Sequence, residues 1–173
     1  LVDTDKKKLL SQTKKIKVKF PGLKVLFFVC DITDEYQIVK MKKELLKKKI
    51  SLKVLVNNAA LNPKMKKTNN YEITGSIEKY SLKYLKKEID VNLIAAFAMI
   101  KHFGTIMSKK KNGSIINIGS DLSLNAPDQS VYHQSEDIKK VKNFKPIGYS
   151  LSKFGIIGLT KYIATYWGHK NVR

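Results

Sequence analysis

The apolar positions of this chain fall into short unbroken runs that alternate with stretches of helical spacing. Leu23 to Cys30 (LKVLFFVC), Leu52 to Val56 and Ser114 to Ile118 are β-branched, aromatic or aliphatic nearly throughout. Runs of that length and composition predict strands buried on both faces, as in a parallel sheet. Leu1-Val2-Asp3 reads as the end of a further strand. Pro21-Gly22 marks a turn before the first full run.

Between the runs the period changes to that of a helix. Lys6 to about Lys19 is predicted to be helical at first, with Leu9, Leu10, Ile16 and Val18 as its apolar positions. Thr33 or Asp34 can cap a second helix to about Lys49, with Tyr36, Ile38, Val39, Met41, Leu45 and Leu46 on one side. Ser81 can cap a long helix to about Lys110, ended by Asn112-Gly113. Its stretch from Val91 to Met107 is apolar nearly all round and predicts cover on two sides. Another helix, apolar on more than one face, is expected from about Ile147 to Trp167. Two polar loops remain: Leu61 to about Tyr80, with Pro63, Asn69, Asn70 and Gly75, and Asp121 to Pro146. Alternation of strand and helix argues for one α/β domain over residues 1–173, a parallel sheet wrapped by helices on both faces. Ligands of such sheets bind beyond the carboxyl ends of the strands, where Asp3, Asp31, Asn57, Asn58 and Ser120 fall.

Composition changes this picture little. A length of 173 residues and an apolar fraction of 43% suit one globular domain. No apolar run approaches membrane-spanning length, and nothing resembles a signal peptide. The net charge of +20 raises nucleic acid or an anionic membrane as partners. The sole arginine is Arg173, however, so the planar fork that reads bases and phosphates is all but missing. The lysines are spread throughout, which fits solvated surfaces better than a binding patch. The single cysteine, Cys30, allows no internal disulfide and lies in an apolar run, so a reducing, cytoplasmic setting is expected. His102, His133 and His169 are too scattered to suggest a metal.

The candidate chemistry lies in tyrosine–lysine pairs four residues apart, one helical turn from each other on one face. A phenol titrates near ~10, and a neighbouring ammonium favours its charged form. The spacing alone decides nothing, because Tyr36/Lys40, Tyr149/Lys153 and Tyr166/Lys170 all show it. Tyr149 alone opens a helix soon after a strand that ends in a serine, Ser120.

Four motifs now stand in order: Leu55-Val56-Asn57-Asn58-Ala59-Ala60, Asp90-Val91-Asn92, Gly113 through Ser120, and Tyr149 through Lys153. Together they resemble the short-chain dehydrogenase/reductase family over essentially the whole chain, and Asp31-Ile32 matches its acidic position after the third strand. The resemblance implies a Rossmann-like doubly wound sheet and hydride transfer between NAD(H) and a carbinol or carbonyl carbon of a small substrate. By the same resemblance Tyr149 is the general acid–base. Lys153 assists it and holds the nicotinamide ribose, Ser120 orients the substrate oxygen, and Asn92 maintains a proton relay. Asn58, Ala59 and Ala60 would line the cofactor near its riboses, and Asp31 and Ile32 would meet the adenine. Asp3 matches a carboxylate that accepts from a ribose 2′-hydroxyl and repels a 2′-phosphate, favouring NAD over NADP. The two long helices correspond to those that pair subunits, which implies a homodimer or homotetramer.

Plainer readings stay open at this point. Asn57 and Asn58 could bridge loops, Asp31 could be a helix cap, Asn92 a buried amide, and Tyr149 a packing residue beside a surface lysine. Tyr80, Tyr84 and Phe97 read as core or interface. A non-catalytic dinucleotide-binding sensor, or a basic nucleic-acid module on the same fold, is the rival from another class.

The chain also departs from the family pattern. No G-x-G-x-x-G occurs among its nine glycines, and the chain opens at Leu1 rather than methionine. The expectation is a partial domain, lacking the first strand, its glycine-rich phosphate loop and a C-terminal part. A split sheet and no cofactor binding by these residues alone follow from it. Ala60 stands where glycine is commoner. The long loops, one starting Asn62-Pro63-Lys64 and the other holding Pro127, Tyr132, His133 and Phe144, resemble a subgroup linked to bacterial polysaccharide or flagellin-glycan synthesis, implying a sugar or nucleotide-sugar substrate.

Overall fold

The computed structural model describes residues 1–62, 76–132 and 144–173. The expectations placed on Pro63, Lys64, Asn69, Asn70, Gly75 and His133 lie outside these residues. Strand β1 (Val2–Asp3) leads through helix α1 (Lys6–Lys19) to β2 (Phe28–Val29), then α2 (Glu35–Lys47) and β3 (Val54–Asn57). A continuous helix, α3 (Leu82–Lys109), precedes β4 (Ser114–Asn117), and α4 (Ile147–Trp167) follows a short 3-10 turn at Asp121–Ser123.

Local chemistry sets the helix ends. Asp5 caps α1, and Asp34, the second of the two expected candidates, caps α2 by accepting from the Tyr36 and Gln37 amides. Ser81 Oγ accepts from Tyr84 N at the start of α3. Gly22 takes the left-handed φ of 87° that the Pro21-Gly22 turn needs. At the far end of α3 the left-handed residue is Lys111 (φ 50°), with Asn112-Gly113 just beyond it.

The strands form two separate parallel pairs, β1–β2 and β3–β4. Val2 pairs with Phe28 and Asp3 with Val29; Val54 through Asn57 pair with Ser114 through Asn117. Beyond β4 the chain end begins another parallel contact, Gly113 with Val172. The split expected of the sheet is therefore present. Between the halves lies a cleft of about 690 Å3, walled by Val2, Phe28, Val54 and Val56 and floored by Met41, Met99 and Phe103.

One expectation is corrected. The apolar runs predict strands buried on both faces, yet β2, β3 and β4 are each open on one side and both residues of β1 are exposed. In β3, Leu55 is buried while Val54 and Val56 are 50% and 52% exposed. Ile116 of β4 and Ile118 just beyond it continue that bare surface, and Val29 is likewise exposed on β2. Alternation of side chains across a strand puts Val54 and Val56 on one face, and the described helices do not cover it. The Leu23–Cys30 run also pairs only at Phe28–Val29.

The core lies on the covered side. Ile38 and Met41 of α2, Ile100, Phe103 and Met107 of α3, Trp167 of α4 and Leu55 form one cluster that includes the buried thiol of Cys30. Full burial of such side chains stabilises by about 1.5–3 kcal/mol each. Although no single apolar run is long enough, α3 as a whole could cross a membrane by length and composition, but half of its most apolar window is buried within the domain. It is the central core helix. A strip containing Ile94 and Phe97 nevertheless stays exposed, so the expected two-sided cover is incomplete.

Candidate active site

Helix α4 opens after Pro146, whose extended backbone starts the helix without a side-chain cap. Its inner face carries Tyr149, Ser152, Lys153 and Ile156, one turn apart in the i, i+3, i+4 pattern. Lys153 is only 4% exposed, and its Nζ donates to the carbonyl of Ile118, two residues before Ser120. Burial pushes its ammonium below the usual lysine value. The Nζ lies 5.6 Å from the Tyr149 ring centroid. The phenol oxygen of Tyr149 makes no hydrogen bond among the described residues.

This separates the three tyrosine–lysine pairs. Tyr36 is 77% exposed on α2; Tyr166 is 57% exposed and stacks on Tyr162 at 6.0 Å. Only Tyr149 has a buried lysine held beside its ring.

Ser120 lies three residues beyond β4, extended and capping the 3-10 turn at Asp121–Ser123. Its hydroxyl donates to Asp121 Oδ1 at 2.5 Å and accepts from Leu122 N at 3.3 Å, while its own amide donates to Ser123 Oγ. The Ser120 hydrogen bond, then the Leu122 amide, hold the Asp121 carboxyl below its ordinary value. Ser120 must release Asp121 before it can donate to a substrate oxygen.

Asn92 is buried within α3 and joins three parts of the site. Its Oδ1 accepts from Leu61 N at 2.6 Å, and its Nδ2 donates to Leu61 O at 2.9 Å and to Ser152 Oγ at 3.1 Å. Ser152 Oγ in turn donates to Tyr149 O. The turn after β3 is thus tied to the helix that carries Tyr149. Around Asn92 the helix widens to a π turn, Asp90–Ile94, in which Ala95 N–H reaches back five residues to Asp90 O. Such turns gather at functional sites.

Asn57 bridges the two strands: its Nδ2 donates to Asn117 Oδ1 at 2.8 Å, and Asn117 Nδ2 donates to Thr160 Oγ1 of α4 at 2.9 Å. Asn58 is exposed and borders the cleft between the half-sheets.

Asp3, Asp31, Ile32, Ala59 and Ala60 come together around an open cavity of about 890 Å3 at the strand ends. Asp3 Oδ1 accepts from Asp5 N at 2.8 Å, and its Oδ2 takes no hydrogen bond among the described residues. Asp31 is not the helix cap; its Oδ1 accepts from Thr33 N and Thr33 Oγ1 in a local turn. A free carboxylate oxygen with apolar Ile32 and alanine walls fits the ribose and adenine end of a dinucleotide. Among the described residues no glycine-rich amide turn stands ready for a pyrophosphate, so the fit is to part of that group.

Two buried or half-buried ionisable groups escaped the sequence. Glu88, one turn before Asn92, is fully buried; Tyr80 Oη donates to its Oε2, and Oε1 has no partner among the described residues. Burial raises its pKa, opposed by the Tyr80 hydrogen bond and the charge of Lys145. Its signal was available, because Glu88 lies on the stripe of Ser81, Leu85, Asn92, Ala95 and Met99 that faces inward. Lys145, just ahead of α4, puts its Nζ 4.7 Å from the Tyr149 ring centroid and donates to Asn62 Oδ1 at 2.8 Å. No sequence signal marks one lysine in so lysine-rich a chain.

A family model described as enoyl-(acyl carrier protein) reductase matches residues 1–173. The chain belongs to the short-chain dehydrogenase/reductase family. Among curated relatives it is 28% identical over 145 residues to 3-oxoacyl-(acyl-carrier-protein) reductase FabG of Buchnera aphidicola subsp. Schizaphis graminum, covering 84% of this chain and 49% of that protein. Its fold matches NAD+-bound xylitol dehydrogenase with a TM-score of 0.80 at 20% identity, over 100% of this chain and 56% of that one. It also matches a metagenomic short-chain oxidoreductase in complex with NADP, TM-score 0.79 at 24% identity, over 100% of this chain and 66% of that one. These neighbours are Rossmann-like, and the chain has that α/β architecture in part. It spans about half the length of the curated relatives it matches.

Proposed function

We propose that this chain carries the acid–base half of an oxidoreductase acting between NAD(H) and a carbinol or carbonyl carbon of a small substrate. The observation that carries the reading is Lys153, a buried ammonium held by Ile118 O beside the Tyr149 phenol, which makes no hydrogen bond among the described residues. In the oxidising direction the carbinol O–H proton passes to the deprotonated Oη of Tyr149 as the carbon–oxygen double bond forms and the hydride leaves the same carbon. The bound nicotinamide would supply the acceptor for the hydride and its two electrons. Ser120, turned away from Asp121, donates to the substrate oxygen and fixes its position. Asn92 keeps the Leu61 turn and α4 in register, so that Tyr149 is presented at one depth. Lys153 would hold the ribose on the nicotinamide side. Asp3, with one free oxygen, supports NAD over NADP through the 2′-hydroxyl. Asp31, Ile32, Asn58, Ala59 and Ala60 would line the remainder of the dinucleotide.

The exposed apolar residues Ile94 and Phe97 of α3 and Leu151 and Phe154 of α4 support association of the protein with itself through these helices. Buried Cys30 supports a cytoplasmic setting. A sugar or nucleotide sugar remains the substrate suggested by the long loops.

The test is NAD reduction by the protein and its Tyr149→Phe variant. Loss of a positioned acid–base costs about 10²–10⁴-fold in turnover. Turnover by Tyr149→Phe at the unaltered rate would sink the reading.

A further inference from the structure

We propose that Lys145 is the substrate-recognition cation of this site and that the substrate is a hydroxy acid whose carboxylate lies a few bonds from the reacting carbon. The inference rests on the oxidoreductase reading of Tyr149 and narrows its substrate class.

Three observations carry it. First, Lys145 is fixed in place: Gln129 Oε1 accepts from its backbone amide at 2.9 Å, and its Nζ donates to Asn62 Oδ1 at 2.8 Å. An ammonium has three protons. The described residues offer the other two no hydrogen-bond acceptor.

Second, its distance suits the chemistry. With Nζ 4.7 Å from the Tyr149 ring centroid, one molecule can bond to both groups at ordinary lengths of about 2.7–3.0 Å if few bonds separate its two oxygens. A carboxylate on or near the carbinol carbon meets that condition.

Third, among the described residues the charges do not balance without a ligand. Lys145 and Lys153 face Tyr149 as two cations. Asp121 and Glu88 are the carboxyls whose charge acts on Lys145. The Asp121 carboxylate is engaged by Ser120 and Leu122. Glu88 is fully buried, and its raised pKa favours the neutral form. With Tyr149 as the neutral phenol, one positive charge is left over among the described residues, on a lysine that is only half-exposed to water. A monoanion satisfies it, whereas a neutral polyol leaves it unpaired.

Gluconate and glucitol differ at one end of the same carbon chain and serve as probes. Their binding to the protein is measured by saturation-transfer NMR, with no cofactor added. Gluconate is expected to bind about tenfold or more tightly than glucitol, the size of one charge-assisted hydrogen bond. In Lys145→Met this preference should fall to about twofold or less, and Lys145→Arg should keep most of it. Binding of neither probe, equal binding of both, or a preference that Lys145→Met leaves intact would overturn the proposal. Should Lys145→Met fail to fold, Lys145→Gln takes its place, and the comparison in the unaltered protein still decides. NAD reduction separates the two readings. Turnover that needs Tyr149 but is equal for both probes overturns the hydroxy-acid inference alone. A Lys145-dependent preference with turnover indifferent to Tyr149→Phe overturns the oxidoreductase reading alone.

Discussion

The two half-sheets are built on different terms. Around β3–β4 the polar groups are tied to one another: Asn92 to Leu61 and Ser152, Ser152 to Tyr149 O, Lys153 to Ile118 O, and Asn57 through Asn117 to Thr160. Around β1–β2 two-residue strands edge an open cavity, and Asp3 keeps an unused oxygen. The lesson concerns the division of labour. Groups that move protons gain from being fixed before the substrate arrives, since misplacement is costly. Groups that only recognise a ligand can stay solvated until it binds.

Breaking the tied half should cost most. Asn92→Leu leaves Leu61 N–H, Leu61 O and Ser152 Oγ without their partner, and stability to urea should fall by about 2–4 kcal/mol. Gly148→Ala comes next. A Cβ there would sit 2.1 Å from Glu88 Oε2, inside any permitted contact, and overpacking of this kind costs about 1–3 kcal/mol. The cost should shrink in a Glu88→Ala background; equal costs in both would show that the contact is not the cause.

Glu88 also gives the tied half a pH signature. Burial raises its pKa above the ordinary 4.5, so the folded state prefers the neutral carboxyl. Its contribution is complete at pH below the unfolded value and is lost as pH rises through the folded one. Unfolding free energy followed upward from about pH 4 should therefore decline more steeply in the unaltered protein than in Glu88→Gln. Parallel curves would remove Glu88 as the cause.

The open half should respond in ligand choice and hardly in stability. Asp3→Asn is expected to move the ratio of NAD to NADP affinity about tenfold towards NADP, with little change in urea midpoint. The smallest effect belongs to a site in neither half. Lys101 and Glu35 pair at 2.8 Å but are each 55% exposed, so Lys101→Ala should cost about 0.5 kcal/mol or less.

Legibility in the sequence follows the same division. Helix ends fixed by local chemistry, such as those at Asp34 and Ser81, could be read directly because the cap lies next to what it caps, while the span Ile147–Trp167 was legible from Pro146 and its apolar pattern. Tyr149 and Lys153 were legible through order and spacing. Burial of the strands was misjudged because an apolar run reports what a surface suits, not whether a neighbour covers it. The π turn at Asp90–Ile94 was invisible because apolar periodicity does not reveal which carbonyl an amide chooses. Glu88 could have been found as a carboxylate on an inward stripe, but Lys145 could not. Its meaning comes from Asn62, Gln129 and Tyr149, which are far apart along the chain.

The π turn also bears on how the gene can change length. A π turn holds one more residue than the α turn it replaces, so α3 contains an insertion that the helix has absorbed. Deleting one residue between Asp90 and Ile94 would restore α hydrogen bonding and cost little in helix propensity. It would leave the turns on either side in phase, because the extra residue is spent within the one widened turn, but it would displace the residues inside that turn, Asn92 among them. Asn92 could then no longer face Leu61 and Ser152 while Glu88 kept its place under α4. A deletion tolerated by the backbone would thus dismantle the site, which makes the number of residues in this helix a functional property in its own right.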